Sequence, residues 1–195
     1  MPFDLQPALK NARLHLGPLR ADDFTRLYAV ACDPLIWEQH PNQFRYQEEV
    51  FQNYFRGAMK SGGALLVADA ASGEPIGSSR FYDLDETAGT IAIGYTFLAR
   101  KYWGGATNRA LKTLMLEHAF GYVARVIFHV GEHNTRSRTA MDRLGGVIVG
   151  KTPIAYYGEA ASANVIYAID RDGWRATADI STSPSGRSAG SHTAI

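Results

Sequence analysis

The sequence predicts an α/β domain built on a mixed, mostly antiparallel sheet, and three observations carry that prediction. Short strand-like runs separated by the polar turns Ser72-Gly73-Glu74-Pro75 and Asp85-Glu86-Thr87-Ala88-Gly89 read as an antiparallel meander. A strand over 90–98, a glycine-bearing turn, a periodic helix and the run Arg125-Val126-Ile127-Phe128-His129-Val130 follow in the order of a parallel crossover unit. Apolar residues at helical spacing supply further helices to cover the sheet. At 195 residues and 46% hydrophobic content the chain can fill one core and not two, so a single domain over residues 1–176 is expected. Residues 177–195 are dominated by Ser, Thr, Gly and Ala with no aromatic anchor, the composition of a disordered tail.

Taken in order, Leu14 and Leu16 alternate with polar neighbours in a strand that stops at Pro18. Phe24, Leu27, Tyr28 and Ala31 line one face of a helix, and Asp22 and Asp23 suit the positive end of its dipole. Residues 33–45, with Trp37, His40 and Pro41, read as a short helix and a loop. Phe51, Tyr54, Phe55, Ala58 and Met59 mark a second helix that ends at Ser61-Gly62-Gly63. Two strands over 64–68 and 76–82 form a hairpin, and the strand over 90–98 extends it. Leu111, Leu114, Met115 and Ala119 share a face of the third helix. The near-continuous apolar content of 125–130 points to burial on both faces of that strand. Asn134 is placed as an N-cap, Ser137, Ala140, Met141 and Leu144 form a fourth stripe, and Gly145-Gly146 close it. Strands over 147–156 and 163–169 bring the sheet to about seven.

A formal charge of +1 removes the electrostatic reason to expect nucleic acid or an anionic membrane as a partner. Residues 1–11 lack the basic head and apolar run of a signal peptide, and no segment approaches the ~20 apolar residues of a membrane span, so a cytoplasmic protein is expected. The single cysteine, Cys32, cannot close an intramolecular disulfide and reads as a small core residue. His129 and His133 straddle a strand end and Gly131, so no metal is expected there.

The most informative stretch is Lys101-Tyr102-Trp103-Gly104-Gly105-Ala106-Thr107-Asn108-Arg109. Glycines at a strand-to-helix turn let backbone N–H groups approach a ligand, and the free N–H groups of the first helical turn carry partial positive charge. The stretch therefore reads as a cradle for a phosphate or pyrophosphate, with Lys101 and Arg109 adding formal charge. A nucleotide or dinucleotide binder fits poorly, because neither the spaced-glycine fingerprint nor a Gly-Lys-Ser/Thr ending is present.

Ile93-Gly94-Tyr95, Tyr102-Trp103-Gly104, His118-Ala119-Phe120 and Asn134-x-x-Ser137-x-x-x-Met141-x-x-x-Gly145, in this order and spacing, resemble the GNAT superfamily of acetyl-CoA-dependent N-acetyltransferases. The resemblance covers about residues 12–174 and is greatest to the branch of the ribosomal-protein alanine acetyltransferases. It implies that the sheet splays between the strand ending at Leu98 and the strand over 127–130, with the pantetheine arm of coenzyme A in the gap. A backbone amide of Phe97 or Leu98 would bind the thioester carbonyl, which makes Leu98 a catalytic position. The family's pyrophosphate loop, Q/R-x-x-G-x-G/A, falls on Trp103-Gly104-Gly105-Ala106-Thr107-Asn108, or in another register on Lys101-x-x-Gly104-x-Ala106. Both registers implicate the amides of Gly104, Gly105, Ala106, Thr107, Asn108 and Arg109. Asn134 and Ser137 match coenzyme-contacting positions, and Asn134 also suits a plain N-cap.

Two positions depart from the family pattern. Met141 stands where many relatives carry a tyrosine that returns a proton to the departing thiolate, and Ala92 where they carry a glutamate base. Ser137 is the candidate replacement for the acid; water, Asp83, Asp85 or Glu86 could serve as the base. Trp37, Arg80 and Tyr82 are candidate substrate contacts, with His40 beside Trp37, and Tyr156-Tyr157-Gly158 could rim the pocket. The implied reaction is direct acetyl transfer from acetyl-CoA to a primary amine, on a protein N-terminus or a small molecule, by a metal-free monomer or homodimer. A coenzyme-A-binding module without turnover is the alternative.

Overall fold

The computed structural model of the chain describes residues 2–174; the tail expected over 177–195 lies outside them. Its strands are β1 (Leu9–Lys10), β2 (Leu14–Pro18), β3 (Ala64–Asp69), β4 (Pro75–Asp85), β5 (Thr90–Leu98), β6 (Arg125–Gly131), β7 (Val147–Ile154) and β8 (Ser162–Asp170). Its helices are α1 (Phe24–Ala31), α2 (Glu48–Ser61), α3 (Thr107–Ala119) and α4 (Thr135–Leu144). The strands form one sheet in the order β1-β2-β3-β4-β5-β6-β8-β7, antiparallel throughout except for the β5/β6 pair. The strand beyond the expected seven is the two-residue β1, too short to leave a pattern in the sequence. No helix among the described residues is long and apolar enough to cross a membrane.

Local chemistry sets the ends of the helices. α2 begins with Glu48 and Glu49 and stops at Gly62, whose φ of +64° is the left-handed conformation that glycine adopts without a Cβ penalty. α4 begins where the Asn134 side chain accepts from the Ser137 N–H at 3.0 Å. Leu27, Phe51, Tyr54 and Phe97 form the core between α1/α2 and one face of the sheet; Val67, Ile91, Leu111, Met115 and Met141 belong to the core on the other. Each such buried side chain contributes roughly 1.5–3 kcal/mol.

Several local expectations change. Cys32 is exposed, because the buried face of α1 runs through Leu27 and Ala31 and the thiol turns back to the Ala29 carbonyl. Met59 is likewise exposed at the end of α2. The buried face of α3 runs through Leu111, Lys112, Met115, Leu116 and Ala119, with Leu114 at its margin. β6 alternates: Val126, Phe128 and Val130 are buried while Ile127 and His129 are half-buried, since one face of this strand borders a cavity.

That cavity follows from a break in the sheet. The β5/β6 ladder runs from Thr90↔Arg125 to Ala92↔Ile127 and stops, although β5 continues along β4 to Leu98↔Gly77 and β6 along β8 to Gly131↔Asn164. On β5, Tyr95 and Thr96 together oppose Ser79, between the pairs Arg80↔Gly94 and Ser78↔Phe97. This is a β-bulge, with Tyr95 at φ +53°, and it bends β5 away from β6. β4 holds the bulge closely: a Cβ on Gly77 would lie 2.0 Å from the Phe97 carbonyl oxygen. Gly77→Ala is therefore expected to cost about 1–3 kcal/mol in urea unfolding; a neutral substitution would show that the two strands can separate freely here.

Candidate active site

Where β5 and β6 part, a cleft of about 870 Å³ opens. Phe97 and Leu98 at the end of β5 form one wall, the turn through Trp103, Gly104, Gly105 and Ala106 another, and Asn134, Arg136 and Ser137 at the start of α4 a third. Ala106 caps α3 without a side-chain bond, and the helix's first backbone bond runs from Ala110 N to Ala106 O. The N–H groups of Thr107, Asn108 and Arg109 thus have no carbonyl one turn back to receive them. Gly104, at φ +71°, and Gly105 border open space, since a Cβ built on either meets no atom within 4 Å. Arg109, Arg136 and Arg143 line this mouth and no Asp or Glu does, so a chain of small net charge concentrates positive potential here.

Three contacts hold the mouth together. The Trp103 indole N–H donates to the Leu98 carbonyl at 2.9 Å, and the Arg136 guanidinium stacks 3.9 Å from the Trp103 ring centre while donating to the Ile36 carbonyl at 3.0 Å. Because the Ala99 N–H donates to the Ile76 carbonyl, ladder alternation gives Phe97 to Ser78 and leaves Leu98 in a non-bonded pair with Gly77. The Leu98 N–H therefore faces the gap, whereas the Phe97 amide is spent on β4 and only its side chain reaches the cleft.

The structure sorts the remaining sequence candidates. Gly104, Gly105, Ala106, Asn108, Arg109, Asn134 and Ser137 all line the cleft. Thr107 contributes its helical amide without lining the wall, and the Lys101 ammonium lies outside, 5.1 Å from the Tyr102 ring. Trp37 is a buried wall element whose indole N–H is taken by the Ala31 carbonyl at 2.7 Å. Arg80 and Tyr82 share a face of β4 but do not reach the cleft. Arg80 is 4% exposed, its guanidinium carbon 3.8 Å from the Tyr95 ring centre, which makes it a packing element beneath the bulge. Tyr82 pairs with His129 Nδ1 at 3.0 Å behind Gly94. Asp85 and Glu86 are exposed at the far end of the β4/β5 hairpin, away from Leu98, whereas Asp83, also exposed, lies near enough to His129 for its charge to oppose the lowering of that imidazole by burial.

A family model for the acetyltransferase (GNAT) domain matches residues 13–147, more than half of the chain. The chain belongs to the GNAT acetyltransferase family. It is an acyltransferase of a family that moves acetyl groups from acetyl-CoA. Among similar solved structures, a T. thermophilus protein described as an acetyltransferase is 23% identical, with 91% of this chain and 98% of that one covered and a TM-score of 0.72. A GCN5-related N-acetyltransferase from Brucella melitensis is 20% identical over 88% of this chain and 81% of its own, with a TM-score of 0.72. Mycobacterium smegmatis RimJ in complex with CoA-disulfide is 18% identical over 86% and 87%, with a TM-score of 0.63. At these identities the likeness is one of fold. No curated protein matches the chain significantly.

Inward from the cleft of this acetyltransferase, a second cavity of about 140 Å³ passes through the sheet at the splay. Asn108, Lys112, Ser137 and Met141 border it from the α3/α4 side, and Arg45, Tyr95, His129 and Tyr156 from the other. Arg45 is 1% exposed and fully engaged: Nε and Nη2 donate to Glu159 Oε1 at 2.9 and 2.7 Å, and Nη1 lies 3.1 Å from His40 Nε2. Burial and then the neighbouring Arg45 charge hold His40 well below the usual imidazole range, hence neutral. Burial also lowers His129, and it raises Tyr156 to about 12, where its O–H donates to Asn164 Oδ1 at 2.9 Å. No cluster of three or more potential metal ligands occurs among the described residues.

Sequence patterning alone misses Lys112. It is 6% exposed, its Nζ donates to Thr96 Oγ1 at 2.7 Å, and desolvation pushes its pKa down to about 7. The signal is present all the same: Lys112 lies four residues from both Asn108 and Leu116, inside the apolar stripe of α3. Because the folded pKa lies below the ordinary 10.5, the unfolded chain binds more protons between about 7 and 10.5. Stability is therefore expected to rise with pH through that window in urea titrations, and Lys112→Met to flatten the rise. An equal slope in both proteins would refute the burial of a weakened lysine.

Proposed function

We propose that this acetyltransferase moves the acetyl group directly from acetyl-CoA to a primary amine, on a protein N-terminus or a small molecule. The observation that carries the reading is a positively lined cleft that runs from unpartnered helix amides into a break in the sheet, in a chain whose family uses acetyl-CoA. The residues fit the coenzyme: Gly104 and Gly105 border open space, the first amides of α3 have no carbonyl to receive them, and the three arginines supply counter-charge for a diphosphate. The likeness to RimJ, solved with a coenzyme A disulfide, supports both this seat and the ribosomal-protein branch. Bound acetyl-CoA would supply an activated acyl group on a sulfur leaving group.

The chain's own groups then divide the work. The Leu98 N–H holds the acyl oxygen, where negative charge builds as an amine attacks, so it favours the transition state over the ground state. Asn134 and Ser137 hold the coenzyme arm from α4. The acceptor approaches from the opposite face of the sheet, along Trp37, Tyr95 and Tyr156. His129, neutral at pH 7, takes the proton that the incoming ammonium must lose; in the tautomer that carries its hydrogen on Nδ1, toward the Tyr82 oxygen, Nε2 is the accepting atom. Arg80 and Tyr82 support that face from beneath.

The test is to incubate the full chain with acetyl-CoA and a panel of amines, following free thiol. Gly105→Glu, whose Cβ meets no atom within 4 Å and whose carboxylate adds negative charge beside the first helical turn, is expected to weaken coenzyme A binding at least about tenfold while leaving the thermal midpoint unchanged. Failure of the unmodified chain to bind coenzyme A at micromolar concentration would remove the reading.

A further inference from the structure

We propose that Lys112 is the proton donor to the coenzyme sulfur in this enzyme, filling from α3 the place that Met141 leaves open on α4. The inference rests on the coenzyme reading above and goes beyond it in naming the acid. Lys112 occupies a position where leucine would complete the apolar stripe between Leu111 and Met115 at no electrostatic cost. Its ammonium has one hydrogen-bond partner, Thr96 Oγ1, which in turn meets Ser79 Oγ at 2.8 Å. On its other side lies the Phe128 ring, with Nζ 5.6 Å from the centre. The titratable groups that share its cavity are His40, Arg45, Tyr95, His129 and Tyr156, and none is a carboxylate. A buried amine without a counter-ion, bordering a passage between the two faces of the sheet, has no structural pairing to explain it.

The position suits the chemistry. Thr96, to which Lys112 is tethered, lies two residues before Leu98, and both line the cleft along which the thioester would lie. As the carbon–nitrogen bond to the acceptor forms and the carbon–sulfur bond breaks, the electron pair passes to sulfur and Lys112 gives it one proton. The acceptor nitrogen sheds one proton to water; an amide, a free thiol and a neutral Lys112 amine result, and Lys112 recovers its proton from solvent through the cavity it borders. Its depressed pKa lets it both hold and release that proton near neutral pH. Met141 borders the same cavity and has no proton to give.

The experiment follows the thiol of bound coenzyme A by its ultraviolet thiolate absorbance across a pH titration, in the full chain and in Lys112→Met. Thiol and Lys112 titrate as a coupled pair in which thiolate and ammonium stabilise each other, so the bound thiol is expected to lose its proton at higher pH in the variant. In turnover with the amine found in the panel, Lys112→Met is expected to lose about 10²–10⁴-fold in kcat at unchanged KM for acetyl-CoA, together with the alkaline fall of kcat. Lys112→Arg is expected to restore the thiolate shift but not kcat, since a guanidinium keeps its proton. Thr96→Val, which leaves the amine and removes its anchor, tests the same geometry should the methionine variant fold poorly, and a lowered kcat is expected. Ser137→Ala is expected to leave the thiol titration unchanged. Normal coenzyme binding with an unaltered thiol pKa and kcat in the Lys112 variants, or transfer of both effects to Ser137→Ala, would overturn the assignment alone. Absence of coenzyme binding by the unmodified chain would overturn the coenzyme reading beneath it.

Discussion

The parallel ladder between β5 and β6 ends at Ala92↔Ile127 although both strands run on, and the cleft, the inward cavity and the exposed Leu98 amide all depend on that separation. Its cause is the bulge that sets Tyr95 and Thr96 against Ser79. A tyrosine at φ +53° costs roughly 1–2 kcal/mol relative to an ordinary strand conformation. The surroundings offset it: Tyr54 O–H donates to the Tyr95 carbonyl at 2.8 Å, and the Arg80 guanidinium lies flat beneath the ring. The bulge aims one side chain into each half of the site, Tyr95 toward α2 and Thr96 toward Lys112.

Three buried cations surround this break, and each is accommodated by a different physical means. Arg45 is paired with Glu159, whose Oε1 accepts from both Nε and Nη2, so the loop carrying it is tied to the segment before β8. Arg80 has no carboxylate partner; it donates to the Gly57 carbonyl at 3.3 Å and rests against the Tyr54 and Tyr95 rings, while its Nε stays unpartnered. Lys112 has one hydroxyl partner and responds by weakening its hold on a proton. Arginine cannot respond in that way, and this difference explains why the lysine is the one suited to proton transfer.

The sheet separates two environments. On the α3/α4 side, open amides and three arginines favour a polyanion, and on the other side tyrosines and neutral histidines line a route beside Arg45, which is paired with Glu159. An ammonium entering among such groups is more readily deprotonated than in water, because desolvation disfavours its charged form. That side is therefore suited to a group that sheds its charge on entry, and the α3/α4 side to a ligand that stays charged.

Much of this is legible locally. The order of strands and helices, the glycine turn at 104–105, the Asn134 cap and the termination at Gly145 follow from period, caps and turn residues, because each depends on neighbours within a few positions. The GNAT resemblance rests on the same short motifs and agrees with the family match over 13–147. Arg80 and Tyr82 are misplaced by sequence reasoning because a face of a strand can be read from alternation, but whether that face meets a cleft or a packed helix cannot. Lys112 escapes it because a lone lysine in a helix is ordinary until the helix is docked.

From sequence alone came the fold class, the glycine turn before α3 and the residues at 141 and 92, methionine and alanine. Tertiary structure alone decided which amide faces the gap and which charges are buried. It also decided which distant residues meet: Thr96 with Lys112, Tyr82 with His129, Arg45 with Glu159. Local periodicity carries no information on such pairs, because they arise from strand register and from the bend at a single bulge.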